Sequence, residues 1–214
     1  MTKHKKNNHK NIRTTEKSTI KKVTAKGNIR IIAGKHRGRK LPVLMAEGLR
    51  PTTDRVKETV FNWLVPYIQD SRCLDCFAGS GGLGFEASSR GAESVTFLEF
   101  NKTAAEQLKQ NQQLLKITDV NIIHTDALSF LKTFDQLKNK PFDLVFIDPP
   151  FRKQFVAKSA ELLNQGWLAE NAIIYVEMES EHNVNDEGEQ LPTNWQLLKE
   201  KIAGQVAYRL YTLV

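Results

Sequence analysis

The chain has 214 residues and a mass of 24.3 kDa, is 40% hydrophobic and 26% charged, and carries a formal net charge of +7. This suits one domain with a sizeable core and room for an appendage. No stretch approaches the roughly 20 apolar residues of a spanning helix, and the lysine-rich start lacks the apolar segment of a secretory signal, so a cytoplasmic protein with no membrane partner is expected.

The charge is unevenly placed. Residues 1–27 hold nine Lys or Arg against Glu16 alone, a net of +8, while the rest, with 22 bases and 23 acids, sums to −1. Polar and poor in large apolar residues, residues 1–28 are expected to form a disordered basic tail. Such a tail either adds salt-sensitive, sequence-independent attraction to phosphates or is a solubilising extension.

Residues 29–70 read as a small hairpin and helix. Ile29-Arg30-Ile31-Ile32 is one arm, Gly34-Lys35-His36-Arg37-Gly38 the turn, and Arg39-Lys40-Leu41, running on to Val43, the return. Arg30, Lys35, Arg37, Arg39 and Lys40 suggest phosphate contact; a charged edge that resists strand aggregation is the alternative. Arg50-Pro51-Thr52-Thr53-Asp54-Arg55 then enters a helix on which Val56, Val60, Phe61 and Leu64 share a face. Pro51 and Asp54 suit a helix start, and Arg50, Thr52 and Arg55 are candidates to hold a substrate backbone.

From residue 72, short apolar runs alternate with helical patterns, which implies parallel strands joined by crossover helices over residues 71–214. Strands are expected at Arg72 to Cys76, Ser94 to Glu99, Asn121 to His124, Phe142 to Ile147 and Ala172 to Glu177. Helices are expected at Gly82 to Arg90, Lys102 to Lys116, Ala127 to Phe134 and Lys153 to Asn164, with Ala104, Leu108 and Leu115 on the core face of the second. Two antiparallel strands, near Trp195 to Lys201 and Val206 to Val214, close the sheet around Ala203-Gly204. Cys73 and Cys76 lie three apart on an apolar strand and face opposite ways, and one pair falls short of a four-ligand zinc site; buried reduced thiols are expected, with no metal.

The first of these strands runs into Asp75-Cys76-Phe77-Ala78-Gly79-Ser80-Gly81-Gly82-Leu83-Gly84. Gly79, Gly81 and Gly84 fit a glycine-rich turn that opens a helix, and Glu99 ends the next strand, where it is placed to accept from ribose hydroxyls. That pattern alone fits a nicotinamide enzyme equally well. Asp75, Glu99, Asp126 and Asp148 all fall at carboxyl ends of strands, however, and four acids on one rim suit the ribose, ammonium and sulfonium of S-adenosylmethionine better than a pyrophosphate. Asp126 reads as an adenine contact or as the N-cap of the following helix. Phe77 and Ala127 complete the candidate cofactor set. His124 reads as a core histidine.

Asp148-Pro149-Pro150-Phe151, directly after the apolar run Phe142 to Ile147, reads as a site acting on an amine. Pro149 restricts Asp148 to extended geometry and aims two acceptors together. They would grip both hydrogens of an exocyclic amine while Phe151 stacks on the base. A strand end followed by a proline turn is the bland reading.

These segments, with Ala203-Gly204-Gln205-Val206-Ala207-Tyr208-Arg209, make residues 29–214 resemble the RsmD family, bacterial 16S rRNA guanine-N2 methyltransferases. The resemblance implies an α/β fold, the Rossmann-like class I S-adenosylmethionine-dependent methyltransferase: a mostly parallel sheet with a C-terminal antiparallel hairpin, plus the small N-terminal hairpin and helix. It implies methyl transfer to the N2 amine of one guanine, with 16S rRNA in the assembled or nearly assembled small subunit, and neighbouring ribosomal proteins, as partners. A monomer is expected. The chain departs from the family at Gly82, where a small alanine is common, and in its longer tail. The alternatives are a DNA adenine-N6 methyltransferase and a non-catalytic ribosome assembly factor.

Overall fold

The computed structural model describes residues 27–44, 54–135, 138–150, 155–180 and 190–214. The tail through residue 26, Arg50, Thr52 and Phe151 lie outside them. The chain enters as β1 (Gly27–Arg30), which pairs antiparallel with β2 (Lys40–Val43) in a two-stranded sheet of its own. The first strand thus begins before Ile29 and ends before Ile32. Its ladder stops because the amides of Ile32 and Ala33 turn to a side chain, Glu86, rather than to β2. Helix α1 (Asp54–Ile68) follows, with Val60, Phe61 and Leu64 buried.

The main sheet contains β3 (Arg72–Asp75), β4 (Ser94–Glu99), β5 (Val120–His124), β6 (Phe142–Ile147), β7 (Leu168–Glu179), β8 (Trp195–Ala203) and β9 (Val206–Leu213). Their order is β5-β4-β3-β6-β7-β9-β8. The first five strands are parallel; β9 runs antiparallel between β7 and β8. The chain builds outward from β3 to β5 and then returns to the other side of β3 as β6. The crevice at the carboxyl ends of β3 and β6 is therefore the switch point where ligands of open parallel sheets collect.

Helices α2 (Gly82–Ser89), α3 (Lys102–Leu115), α4 (Ala127–Leu131) and α5 (Phe155–Leu163) complete the layers. One face buries Phe61, Leu64, Phe85 and Leu108 against Phe97, Phe146 and Tyr175. The other buries Leu131, Val156, Leu163 and Trp167 against Leu74, Val145 and Ile174. Cys73 belongs to the first cluster and Cys76 to the second; both are buried free thiols. Burial pushes the Cys73 thiol up to about 12 and that of Cys76 well above its usual range.

Two sequence readings need correction. On α3 the core face is Ala105, Leu108 and Leu115 with the buried amide of Asn111, not Ala104. Asn101 caps the helix by accepting from Thr103 and Ala104, and this start sets the rotation of the helix. His124 is exposed rather than a core residue, with Nε2 3.0 Å from the Phe100 carbonyl, because β5 is the outer strand of the sheet.

Candidate active site

The loop from β3 to α2 is held by two carboxylates. Asp75 is buried, and its Oδ2 accepts from the Gly84 amide at 3.2 Å. Burial lifts its pKa to about 7 against the pull of the Gly84 and Phe77 amides, and the nearby Glu99 charge raises it further. Glu99 accepts from the Gly79 amide at 2.8 Å and from the Asn101 amide at 2.7 Å. Its pKa is also raised by burial, with both amides opposing the shift. The Gly81 backbone is left-handed, φ +78°, at the N-cap of α2. Gly84 allows the helix to lie against β4, since a Cβ there would sit 2.2 Å from Phe97 Cε1.

Asp126 is the N-cap of α4 and accepts from the Ser129 amide at 2.8 Å. That leaves its second oxygen for another donor. Ala127 is buried beneath it, and the Phe77 ring stacks on Phe155 at 5.6 Å. Among the described residues, no group of three or more His, Cys, Asp or Glu is arranged to hold a metal ion.

Asp148 follows the last residue of β6. Strand registers place Asp75 beside Phe146, and the Cys76 amide donates to the Phe146 carbonyl at 3.0 Å. Asp148 therefore leaves the sheet at the rim next to the glycine loop, with Pro149 buried and Pro150 exposed. On its other side Ile147 pairs with Val176, which brings Glu177 alongside Asp148. The buried Tyr175 hydroxyl donates to Glu177 Oε1 at 2.6 Å. Burial raises the Tyr175 pKa, and the charges of Glu177 and Asp148 raise it further. Burial also raises that of Glu177, opposed by the Tyr175 hydroxyl. Sequence reasoning missed this pair; the signal was a tyrosine and a glutamate two apart, hence on one face, in an otherwise apolar strand.

The rim thus offers carboxylates at the ends of β3, β4 and β6 and a backbone open to close approach, a donor set that fits a cationic, ribose-bearing cofactor. A family described as conserved hypothetical protein 95 matches residues 29–212. The ribosomal RNA small subunit methyltransferase D of Haemophilus influenzae is 56% identical over 196 residues, covering 90% of this chain and 97% of its own. That of Escherichia coli K12 is 51% identical over 186 residues, covering 86% and 90%. The chain belongs to the RsmD family.

The solved yhhF structure from Escherichia coli superposes on this RsmD-family chain with a TM-score of 0.77 at 50% identity, covering 87% of this chain and 98% of that one. HI0767 from Haemophilus influenzae gives 0.75 at 52% identity, covering 88% and 99%. The fold is the Rossmann-like class I methyltransferase with its antiparallel C-terminal hairpin. A more distant methyltransferase, SMU.776, solved with S-adenosylhomocysteine, shares this fold at 14% identity and a TM-score of 0.62.

The hairpin cations divide into two groups. Arg30 is paired with Asp54 at 3.0 Å, and Arg39 Nη2 donates to the Leu114 carbonyl at 3.0 Å. Lys35, Arg37 and Lys40 are exposed, as is Arg55 in the first turn of α1. No helix among the described residues is long and apolar enough to cross a membrane.

Proposed function

We propose that this RsmD-family protein methylates the exocyclic N2 amine of a guanine in 16S rRNA, using S-adenosylmethionine, in the assembled or nearly assembled small subunit. The observation that carries the reading is the adjacency of Asp148-Pro149-Pro150 to the Asp75–Gly84 loop across the paired strands β6 and β3. A base held by the first then faces a cofactor held by the second. The names of the relatives supply the RNA class.

The residues divide the work. Glu99 serves the ribose with the lone pairs that Gly79 and Asn101 leave unused, Asp126 serves the adenine with its second oxygen, and Phe77 and Ala127 line the same pocket. Bound S-adenosylmethionine supplies an electrophilic methyl group on a positive sulfonium. Asp148 and the Pro149 carbonyl accept the two N2 hydrogens and turn the nitrogen lone pair toward that methyl, so positioning carries much of the rate. Phe151 stacks on the guanine, a contact worth about 1–3 kcal/mol. The guanine must be unstacked or flipped to reach them. No strong general base is required, because the amine becomes acidic once methylated. Lys35, Arg37, Arg39 and Lys40, with Arg30, Arg50, Thr52 and Arg55, contact the RNA backbone, and neighbouring ribosomal proteins complete the docking surface.

The test is transfer from radiolabelled S-adenosylmethionine to small subunits lacking native methylation, to free rRNA and to duplex DNA, with nucleoside analysis. N2-methylguanosine from subunits is expected. N6-methyladenine in DNA, or cofactor binding without transfer, would overturn the proposal.

A further inference from the structure

The N-terminal hairpin is fastened at three heights along α2, once by Lys57 of α1 and twice by α2 itself. Nearest the rim, the buried Lys57 ammonium donates to the Arg30 carbonyl at 2.6 Å and pairs with Asp54 at 3.4 Å. Its stem lies 4.0 Å from where a Cβ on Gly82 would be, so this contact sits at the start of α2. Half-way down, the buried Glu86 carboxylate accepts from the Ile32 amide at 2.7 Å and the Ala33 amide at 3.0 Å, and Arg90 balances its charge at 2.7 Å. At the far end, Ser89 accepts from the Lys35 and His36 amides and donates to the Ala33 carbonyl at 2.6 Å. Gly34 is obligatory there, because a Cβ would fall 1.8 Å from the Ser89 carbonyl oxygen.

Helix α2 starts at the carboxyl rim and ends at the amino edge of the sheet. The basic turn docked on Ser89 is therefore displaced from the methyl-transfer rim by the length of α2, about 12 Å for its eight residues. At this edge Arg39 reaches the Leu114 carbonyl in the last turn of α3. That contact brings in Lys116, an exposed cation distant in sequence. We propose that Lys35, Arg37 and Lys116 form a second phosphate grip on rRNA at the amino edge. Glu86 is the positioning residue that fixes its offset from the catalytic rim. The inference rests on the RNA-methyltransferase reading and adds a two-point footprint to it.

The experiment uses the full chain, undermethylated small subunits and S-adenosylhomocysteine titration to normalise active protein. The triple variant Lys35→Ala, Arg37→Ala, Lys116→Ala is expected to weaken subunit binding and to flatten log affinity against log salt by up to about 0.9 per lost duplex-phosphate contact. Glu86→Ala should instead keep the salt slope and cofactor affinity while kcat at saturating subunits falls on the order of 10- to 100-fold. Glu86→Gln, which retains one acceptor oxygen, should recover part of that loss; a merely structural role would lower the active fraction instead. A wild-type affinity and slope for the triple variant would overturn the grip, and a wild-type kcat for Glu86→Ala would overturn the offset. If Glu86→Ala does not fold, Ser89→Ala is read the same way. Absence of transfer by the wild-type chain would defeat the underlying reading instead, and so is distinguishable.

Discussion

Glu99 at the end of β4 accepts the Gly79 amide of the neighbouring loop at 2.8 Å. The acid proposed to serve the cofactor ribose is thus also the group that holds the glycine turn. Glu99→Ala should weaken S-adenosylhomocysteine binding by about 1.5–3 kcal/mol, the range for hydrogen bonds to a charged group, with Glu99→Gln in between. Calorimetric titration decides; unchanged affinity would remove Glu99 from the ribose.

Asp148 stands on the other side of the crevice, and its proposed partner is the base. Asp148→Ala should abolish methyl transfer and leave cofactor affinity within a few-fold. Loss of cofactor binding would reassign the residue.

Asp75 imposes a pH dependence whose sign follows from its raised pKa. The folded protein keeps a proton up to about pH 7 that an ordinary aspartate releases near 3.8. Between those values the native state holds more protons than the unfolded chain, so this group's stabilisation is complete in acid and is lost as pH rises through the window. Asp75→Asn should flatten the denaturant midpoint over that range. Because a cationic cofactor favours the ionised carboxylate, wild-type affinity should also rise with pH up to about 7 and then level off.

Gly84 touches the Phe97 ring too closely for any side chain. Gly84→Ala should cost about 1–3 kcal/mol by overpacking, and it should weaken the cofactor by shifting the start of α2. A stability curve identical to wild type would mean that the helix yields without cost.

Ser159 is fully buried on α5, and its hydroxyl has no hydrogen-bond partner. Ser159→Ala should be neutral or stabilising, by up to about 1–3 kcal/mol, since it removes an uncompensated desolvation penalty. Destabilisation measured by urea unfolding would argue for a hidden partner.

The elements of the parallel half were legible because period-2 and period-3.6 apolar patterns are local, whereas their order in the sheet was not. The alternation from Arg72 to Glu177 gave the crossover units, and the antiparallel pair at Trp195 and Val206 was read from the same signal. Helix ends were less legible. α4 stops at Leu131, and the core face of α3 takes in Ala105 rather than Ala104 while keeping Leu108 and Leu115, because caps and packing set those limits.

By itself the sequence determined the candidate positions: Asp75 to Gly84, Glu99, Asp126 and Asp148 to Phe151 are motifs whose spacing suits a strand running into a turn, a constraint within one stretch of chain. Only the tertiary structure decided which of them meet, since β3 and β6 become neighbours through hydrogen bonds between segments some 70 residues apart. It alone brought Tyr175 and Glu177 beside Asp148 and fastened the basic hairpin to Glu86 and Ser89. Buried donors and acceptors must find partners wherever the fold supplies them, and that requirement leaves no periodic trace in the sequence.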